Sequence, residues 1–291
     1  MHSNSNPRLG IGLLVSGLFI FACQDAITLP LVRSMPIAQV LLIRFVAMLL
    51  FAWLLLGHHH KSLIQPFTSR HPIQQIFRGL LIAVEIFIFS LGIQKLSLPQ
   101  MHAVMATYPL VATLLAVPLL GESIGMRRII ALSLGFIGTL IILDPVFGSF
   151  SPYLLYPLAC AILFGLYNVW TRKLVQLESA QTAFFYMALC CTLTFIGPAA
   201  MVWQPLTTEQ ILLVSLLCLT SIAAHVLYTR AFVYAPASTL QPYNYLLLVF
   251  ASLVGLIIFK DVLSLNMIMG STLVVGTGLY VWYRERLQKA Q

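Results

Sequence analysis

Charge is what this chain has least of: Asp, Glu, Lys and Arg make up 8% of its 291 residues, against 60% that are hydrophobic. So little polar surface cannot cover a soluble globule of this length, which excludes a water-soluble enzyme or binding domain and places the chain in a bilayer. Acidic residues are scarcer still, 8 against 16 Lys and Arg. In a soluble protein that balance would raise nucleic-acid binding. Here the cations sit in short loops between apolar runs, where membrane orientation explains them, and no nucleic-acid partner is expected. Metal-like cysteine spacing is missing as well. Cys23, Cys160, Cys190, Cys191 and Cys218 all lie inside apolar runs, as small packing residues with no disulfides expected. No cleavable leader is expected, because Met1 to Pro7 is polar and the first apolar run is too long for a signal-peptide core.

What is there is a series of apolar runs, each near the roughly 20 residues that cross a hydrocarbon core. They cover about 10–30, 36–56, 73–94, 99–120, 125–143, 152–171, 180–202, 209–232, 237–259 and 264–283, and predict an all-α membrane protein of ten transmembrane helices. Turn and helix-stop chemistry separates them, as at Met35-Pro36, Leu98-Pro99, Asp144-Pro145 and Gln204-Pro205. No linker is long enough for a soluble domain. With the N-terminus in the cytoplasm, Arg8, Lys61, Arg70, Arg78, Arg127, Arg128, Arg172, Lys173, Arg230, Arg284, Arg286 and Lys289 fall inside, and only Arg33, Lys95 and Lys260 outside. Both termini are therefore expected in the cytoplasm, and the membrane is expected to be the bacterial cytoplasmic one.

The chain also repeats itself. FACQDAIT, Phe21 to Thr28, returns as FGLYNVWT, Phe164 to Thr171, so Asp25 and Asn168 are equivalent positions. Ala38-Gln39 matches Ala180-Gln181, Phe89 to Pro99 matches Tyr228 to Ser238, and Gly121-Glu122 matches Lys260-Asp261, all at an offset of roughly 140 residues. Five helices per repeat means that the second enters the membrane upside down relative to the first. Two inverted five-helix repeats are expected, over residues 1–146 and 147–291.

These matches lead to a known family. The Asp25-containing first helix, Arg44, Arg78-Gly79, Tyr108-Pro109 followed by Gly121-Glu122, Gly135 and Gly138, and the ending Gly278-Leu279-Tyr280 to Arg284-Glu285 resemble the EamA-type ten-helix members of the drug/metabolite transporter superfamily. The resemblance implies one central cavity lined by helices one to four and six to nine, with helices five and ten outside. The chain departs from it at Leu29-Pro30, where relatives often carry Lys, and at Lys260-Asp261, where Gly-Glu is usual.

Charges inside a membrane face a partner or a wet cavity and are functional candidates. Asp25 and Arg44 come out at similar depths on antiparallel helices, so an ion pair between them is expected. Either the pair locks helices one and two together, or Arg44 binds a substrate carboxylate through its planar guanidinium. Glu85 falls near the midplane of helix three, and the repeat places His225 almost opposite, which suits proton exchange during a transport cycle. Helix six contributes Tyr167 and Asn168. The start of helix nine contributes Gln241, Tyr243 and Asn244 around Pro242, a polar run suited to a broken helix at a transporter site. His102 and Tyr108 on helix four complete the candidates. The His58-His59-His60 run reads as solvated rather than as a metal site, and no cofactor is expected. Gly135, Gly138, Gly270, Gly276 and Gly278 would allow close helix packing or a homodimer contact.

The pattern describes a carrier of a small organic metabolite, proton-linked or gradient-driven and working by alternating access. An amino acid or related zwitterion, moved outward, is the first expectation; uptake of a larger metabolite such as a nucleoside derivative or vitamin is the alternative. An intramembrane enzyme would need a nucleophile with its base, or a cluster of metal ligands at one depth, and the sequence has neither.

Overall fold

The caps and prolines of the sequence set most helix starts in the computed structural model, which describes residues 6–60, 69–120, 126–143, 151–174, 177–235 and 240–289. Asn6 caps α1 (Pro7–Ser34), its side chain accepting from the Leu9 amide at 3.2 Å. Then come α2 (Ile37–His60), α3 (Pro72–Ile93), α4 (Leu98–Met105), α5 (Tyr108–Leu120) and α6 (Met126–Leu143). A short 3-10 turn, Pro152–Leu154, leads into α7 (Leu155–Leu174), followed by α8 (Ala180–Met201) and α9 (Thr208–Tyr234). Ser97 with Gln100, and Thr207 with Gln210, form capping boxes on α4 and α9, in which each pair satisfies two otherwise open backbone amides. The last part is a 3-10 turn, Gln241–Tyr245, then α10 (Leu246–Val254), a π-helical turn (Gly255–Phe259) and α11 (Leu265–Lys289).

Two apolar runs are not single helices. Run 99–120 divides into α4 and α5, because Pro109 has no amide to donate to Met105 and its ring crowds that carbonyl, so the chain turns at Ala106 and Thr107. Run 237–259 is 3-10, then α, then π, with Pro242 at the first break. The π turn ends at Lys260, whose φ of 57° is the left-handed conformation that the glycine usual in the resembling family adopts freely. Helix ends also move outward: α2 continues to His60 and α11 to Lys289. The Gly121-Glu122 and Asp144-Pro145 signals, and the side chains of His58–His60, lie outside the described residues.

Among the described residues, six helices are long and apolar enough to cross a membrane: α1, α2, α3, the α7 segment with its 3-10 lead, α8 and α9. The helices associate in pairs, α1 along α9, α2 along α8, α3 along α7 and α6 along α11. The largest cluster of buried apolar residues joins α1, α4 and α10 through Ala22, Leu29, Leu98, Met101 and Ala251; a second joins α2, α3 and α8 through Phe45, Ile82 and Met187.

Glycine fixes the α6–α11 contact. A Cβ on Gly270 would stand 2.5 Å from the Gly138 carbonyl oxygen, and one on Gly138 would stand 2.9 Å from the Gly270 carbonyl oxygen. Gly270→Val must therefore push the helices apart, and an apparent unfolding temperature in detergent lowered by about 5 °C is expected from overpacking of this kind. An unchanged melting curve would mean that α6 and α11 do not need the close approach. Gly276 has nothing within 4 Å of its missing side chain.

Candidate functional site

Asp25 and His102 form the charged centre. The carboxylate Oδ2 lies 2.8 Å from imidazole Nε2, and both residues are buried. This replaces the Asp25–Arg44 pair expected from depth. Helix α2 packs mainly along α8 and α9 and only lightly on α1, whereas α4, capped at its first turn, carries His102 in its last turn to Asp25. The loop after α10 steadies that turn, with Asp261 accepting a hydrogen bond from the Leu98 amide. Phe89 of α3 closes over the His102 ring, centroids 5.6 Å apart.

Arg44 is buried, within electrostatic reach of both Asp25 and Glu85, and its Nε has no hydrogen-bond partner among the described residues. Glu85 is buried beside Cys160 of α7, whose thiol donates to the Glu85 carbonyl at 3.6 Å. No hydrogen bond or ion pair joins Glu85 to His225 among the described residues. His225 donates through Nδ1 to the Ser221 carbonyl at 2.8 Å and stands edge-on to Phe21 at 4.9 Å. Ser221 Oγ in turn donates to Gln24 Oε1 at 2.8 Å, tying α9 to α1 beside Asp25. Gln24 and Ser221 were invisible in the sequence, where an amide and a hydroxyl in apolar runs have no distinguishing pattern.

An aromatic layer adjoins the charged one. Tyr108 of α5 meets Phe164 of α7 edge-on at 4.8 Å, and Phe164 stacks on Tyr167 at 5.8 Å. The phenols of Tyr228 on α9 and Tyr245 in the 3-10 turn are within electrostatic reach of Tyr108, and that of Tyr167 is within reach of Tyr228. Asn168 points back along its own helix, donating to the Phe164 carbonyl at 2.7 Å. Asn244 is buried, Tyr243 packs against the Leu14–Leu18 cluster, and the Gln241 side chain lies outside the described residues.

Arg78 closes one end of this layer. Counted in the sequence as a flanking cation, it is 2% exposed. Its guanidinium donates to Tyr167 Oη at 3.1 Å and Thr171 Oγ1 at 3.3 Å, and also to the Ala183 carbonyl, so one side chain joins α3, α7 and α8. Glu178, between α7 and α8, holds the start of α3 from outside the membrane: Oε1 accepts from Ser69 Oγ at 2.6 Å and the His71 amide at 2.9 Å, and Oε2 from Gln75 Nε2 at 2.7 Å. Partial burial acts to raise the Glu178 pKa, but these bonds and one from the Arg70 amide outweigh it and hold the carboxyl below its ordinary value. A depressed carboxyl pKa contributes stability above the ordinary glutamate range and loses it as pH falls through the lowered value. Glu178→Gln is thus expected to destabilise at pH 7 by about 1 kcal/mol after solvent screening, with the difference from wild type shrinking as pH falls through the lowered carboxyl value. Melting curves across pH check this; a difference independent of pH would exclude the ionised carboxylate as its source.

A bundle of apolar helices with charged and aromatic side chains buried inside it is an arrangement suited to carrying small molecules across a membrane. The chain belongs to the EamA-like transporter family, which matches residues 8–144 and again 151–283. It is a multi-pass protein of the bacterial inner membrane and not an enzyme. It is 26% identical to an S-adenosylmethionine uptake transporter of Rickettsia bellii over 278 residues, covering 96% of this chain and 94% of the relative. A riboflavin transporter of Vibrio cholerae is 30% identical over 202 residues, covering 66% and 67%. One crystal structure of a protein 16% identical superposes with a TM-score of 0.64 over 98% of this chain and 99% of that one, which shows the shared fold.

Proposed function

We propose that this chain carries a metabolite with a planar heteroaromatic ring and a polar chain, of the nucleoside-derivative or vitamin class, by alternating access between two inverted five-helix repeats, 1–146 and 147–291, with both termini in the cytoplasm. Ten spanning helices follow if α4 with α5, and the 3-10 turn with α10 and the π turn, each count as one span, and α6 and α11 are included. The packing supports this reading, because the pairs fall as an internal twofold requires. The α1–α9 contact has its counterpart in α7–α3, while α2–α8 and α6–α11 map onto themselves with partners exchanged.

The single observation behind the substrate class is the aromatic file of Tyr108, Phe164 and Tyr167, next to Tyr228 and Tyr245, with charged groups on one side. Rings stack offset or edge-on with such a file, and a few convergent polar groups orient the rest of the ligand. The expected amino-acid class is retained only in that S-adenosylmethionine, named for one relative, is an amino acid and a nucleoside in one molecule. Uptake is the favoured direction, as for the S-adenosylmethionine uptake transporter of Rickettsia bellii. Proteoliposomes containing the protein should accumulate labelled S-adenosylmethionine or riboflavin saturably, with excess unlabelled compound blocking uptake. Accumulation of neither beyond that in empty liposomes would refute the substrate class.

A further inference from the structure

Arg44 deepens that reading and rests on it. A guanidinium keeps its charge inside a protein, so a buried one needs an anion or a set of acceptors within reach. Among the described residues Arg44 has neither. It is 6% exposed and forms no ion pair, and its enclosed Nε has no hydrogen-bond partner. Asp25 is engaged with His102 at 2.8 Å, and Glu85 acts on Arg44 through space, without ion-pair contact. Arg78 is the contrast: it is buried as deeply, but its terminal nitrogens donate to Tyr167, Thr171 and the Ala183 carbonyl, all within the protein.

The same side chain borders the aromatic file. Its guanidinium stands 5.4 Å from the Phe45 ring centroid, and the cluster that buries Phe45 also packs Phe164 and Tyr167. On α9, His225 is within electrostatic reach of Arg44 and lies about one helical turn from Tyr228. A ligand whose ring lies on the file therefore has Arg44 beside its polar chain.

We propose that Arg44 donates a forked pair of hydrogen bonds to a carboxylate on the substrate's polar chain, and that the carrier selects for that carboxylate. The planar fork matches a carboxylate oxygen for oxygen. A phosphate suits the place less well, because it brings nearly two negative charges to one cation that already has Asp25 and Glu85 nearby. A carboxylate that travels with an ammonium, as at the end of an amino acid, adds no net charge. The Ala38-Gln39 match sets Tyr186 at the position of Arg44 in the second repeat, so the first repeat supplies this cation.

The test compares two probes that differ in the carboxylate, S-adenosylmethionine and its decarboxylated form, binding to purified full-length protein in detergent. Riboflavin serves as a third ligand, without a carboxylate. Wild type should bind S-adenosylmethionine at least about tenfold more tightly than the decarboxylated form, as expected of a charged hydrogen-bond pair. In Arg44→Gln the Kd for S-adenosylmethionine should rise at least about tenfold, while those for the decarboxylated form and riboflavin change less than about threefold. Arg44→Lys, which keeps the charge but not the fork, should retain part of the preference. Equal affinity of wild type for the two adenosyl probes, a comparison that needs no variant to fold, would overturn the proposal and leave the substrate class standing. So would equal losses for both probes in Arg44→Gln, the result of a purely structural arginine, or binding of riboflavin alone. Binding of none of the three would remove proposal and class together.

Discussion

Asp25→Ala is expected to cut the transport rate by about a hundredfold or more and to destabilise the protein by about 3–5 kcal/mol, the cost of leaving one member of a buried pair alone. The reason is geometric. His102 stays in the last turn of α4, a helix anchored at its start by the Ser97–Gln100 capping box, and its Nε2 loses a partner 2.8 Å away in a place that water reaches poorly. Asp25→Ala/His102→Ala removes both groups, so its stability should fall by less than the sum of the two single changes. Melting temperatures and uptake rates for all four proteins close the cycle. Additive losses in stability would show that the two groups act independently, against the geometry.

Arg78→Ala should be the most damaging change outside the charged centre, costing about 3 kcal/mol or more. It leaves Tyr167, Thr171 and the Ala183 carbonyl without their donor, and hydrogen bonds to charged groups contribute about 1.5–3 kcal/mol each. Its most specific sign is chemical. Cys190 and Cys191 of α8 are buried against this part of α3, with Cys191 Sγ 3.8 Å from the Gly79 carbonyl. Loosening α3 from α7 and α8 should expose them, raising the maleimide labelling rate at least about tenfold at a temperature where the protein remains folded. Arg78→Lys should not restore protection, because a single ammonium cannot match a planar fork holding acceptors on two helices. Unchanged labelling in Arg78→Ala would mean that the three-helix junction is held by packing alone. In the proposed orientation this junction lies toward the cytoplasm, where alternating access requires α3, α7 and α8 to part.

How far the sequence reached depends on the distance over which each feature is decided. The breaks at Pro109 and Pro242 were legible because a missing amide acts on the residue one turn away. Pro242 was read as a break in advance, whereas the run holding Pro109 was taken as one helix, although the Tyr108-Pro109 signal stood in plain view. The cost of an acid in an apolar run made Asp25 a candidate before any contact was known. Its partner was not legible. Arg44 comes out near its depth, but the actual partner depends on which helix lies beside α1. Arg78 was misread for a related reason: in the first two turns of α3 it has the sequence context of a flanking cation, and only the closeness of α7 and α8 buries it. Glu178 gave no signal at all, since its bonds to Ser69, His71 and Gln75 close across more than a hundred residues.

The sequence by itself determined that this is a helical membrane protein, which residues are too polar to face lipid, and the family to which the chain belongs. Apolar length, proline position and the cost of burying charge are local quantities, written residue by residue. The tertiary structure alone decided the partners: His102 rather than Arg44 for Asp25, the Ser221 carbonyl for His225, and three acceptors for Arg78. A helix in a bilayer presents several faces at the same depth, and depth is all that counting residues can supply. Which face meets which neighbour follows from the close approaches that small residues permit, and those exist only once the helices are packed.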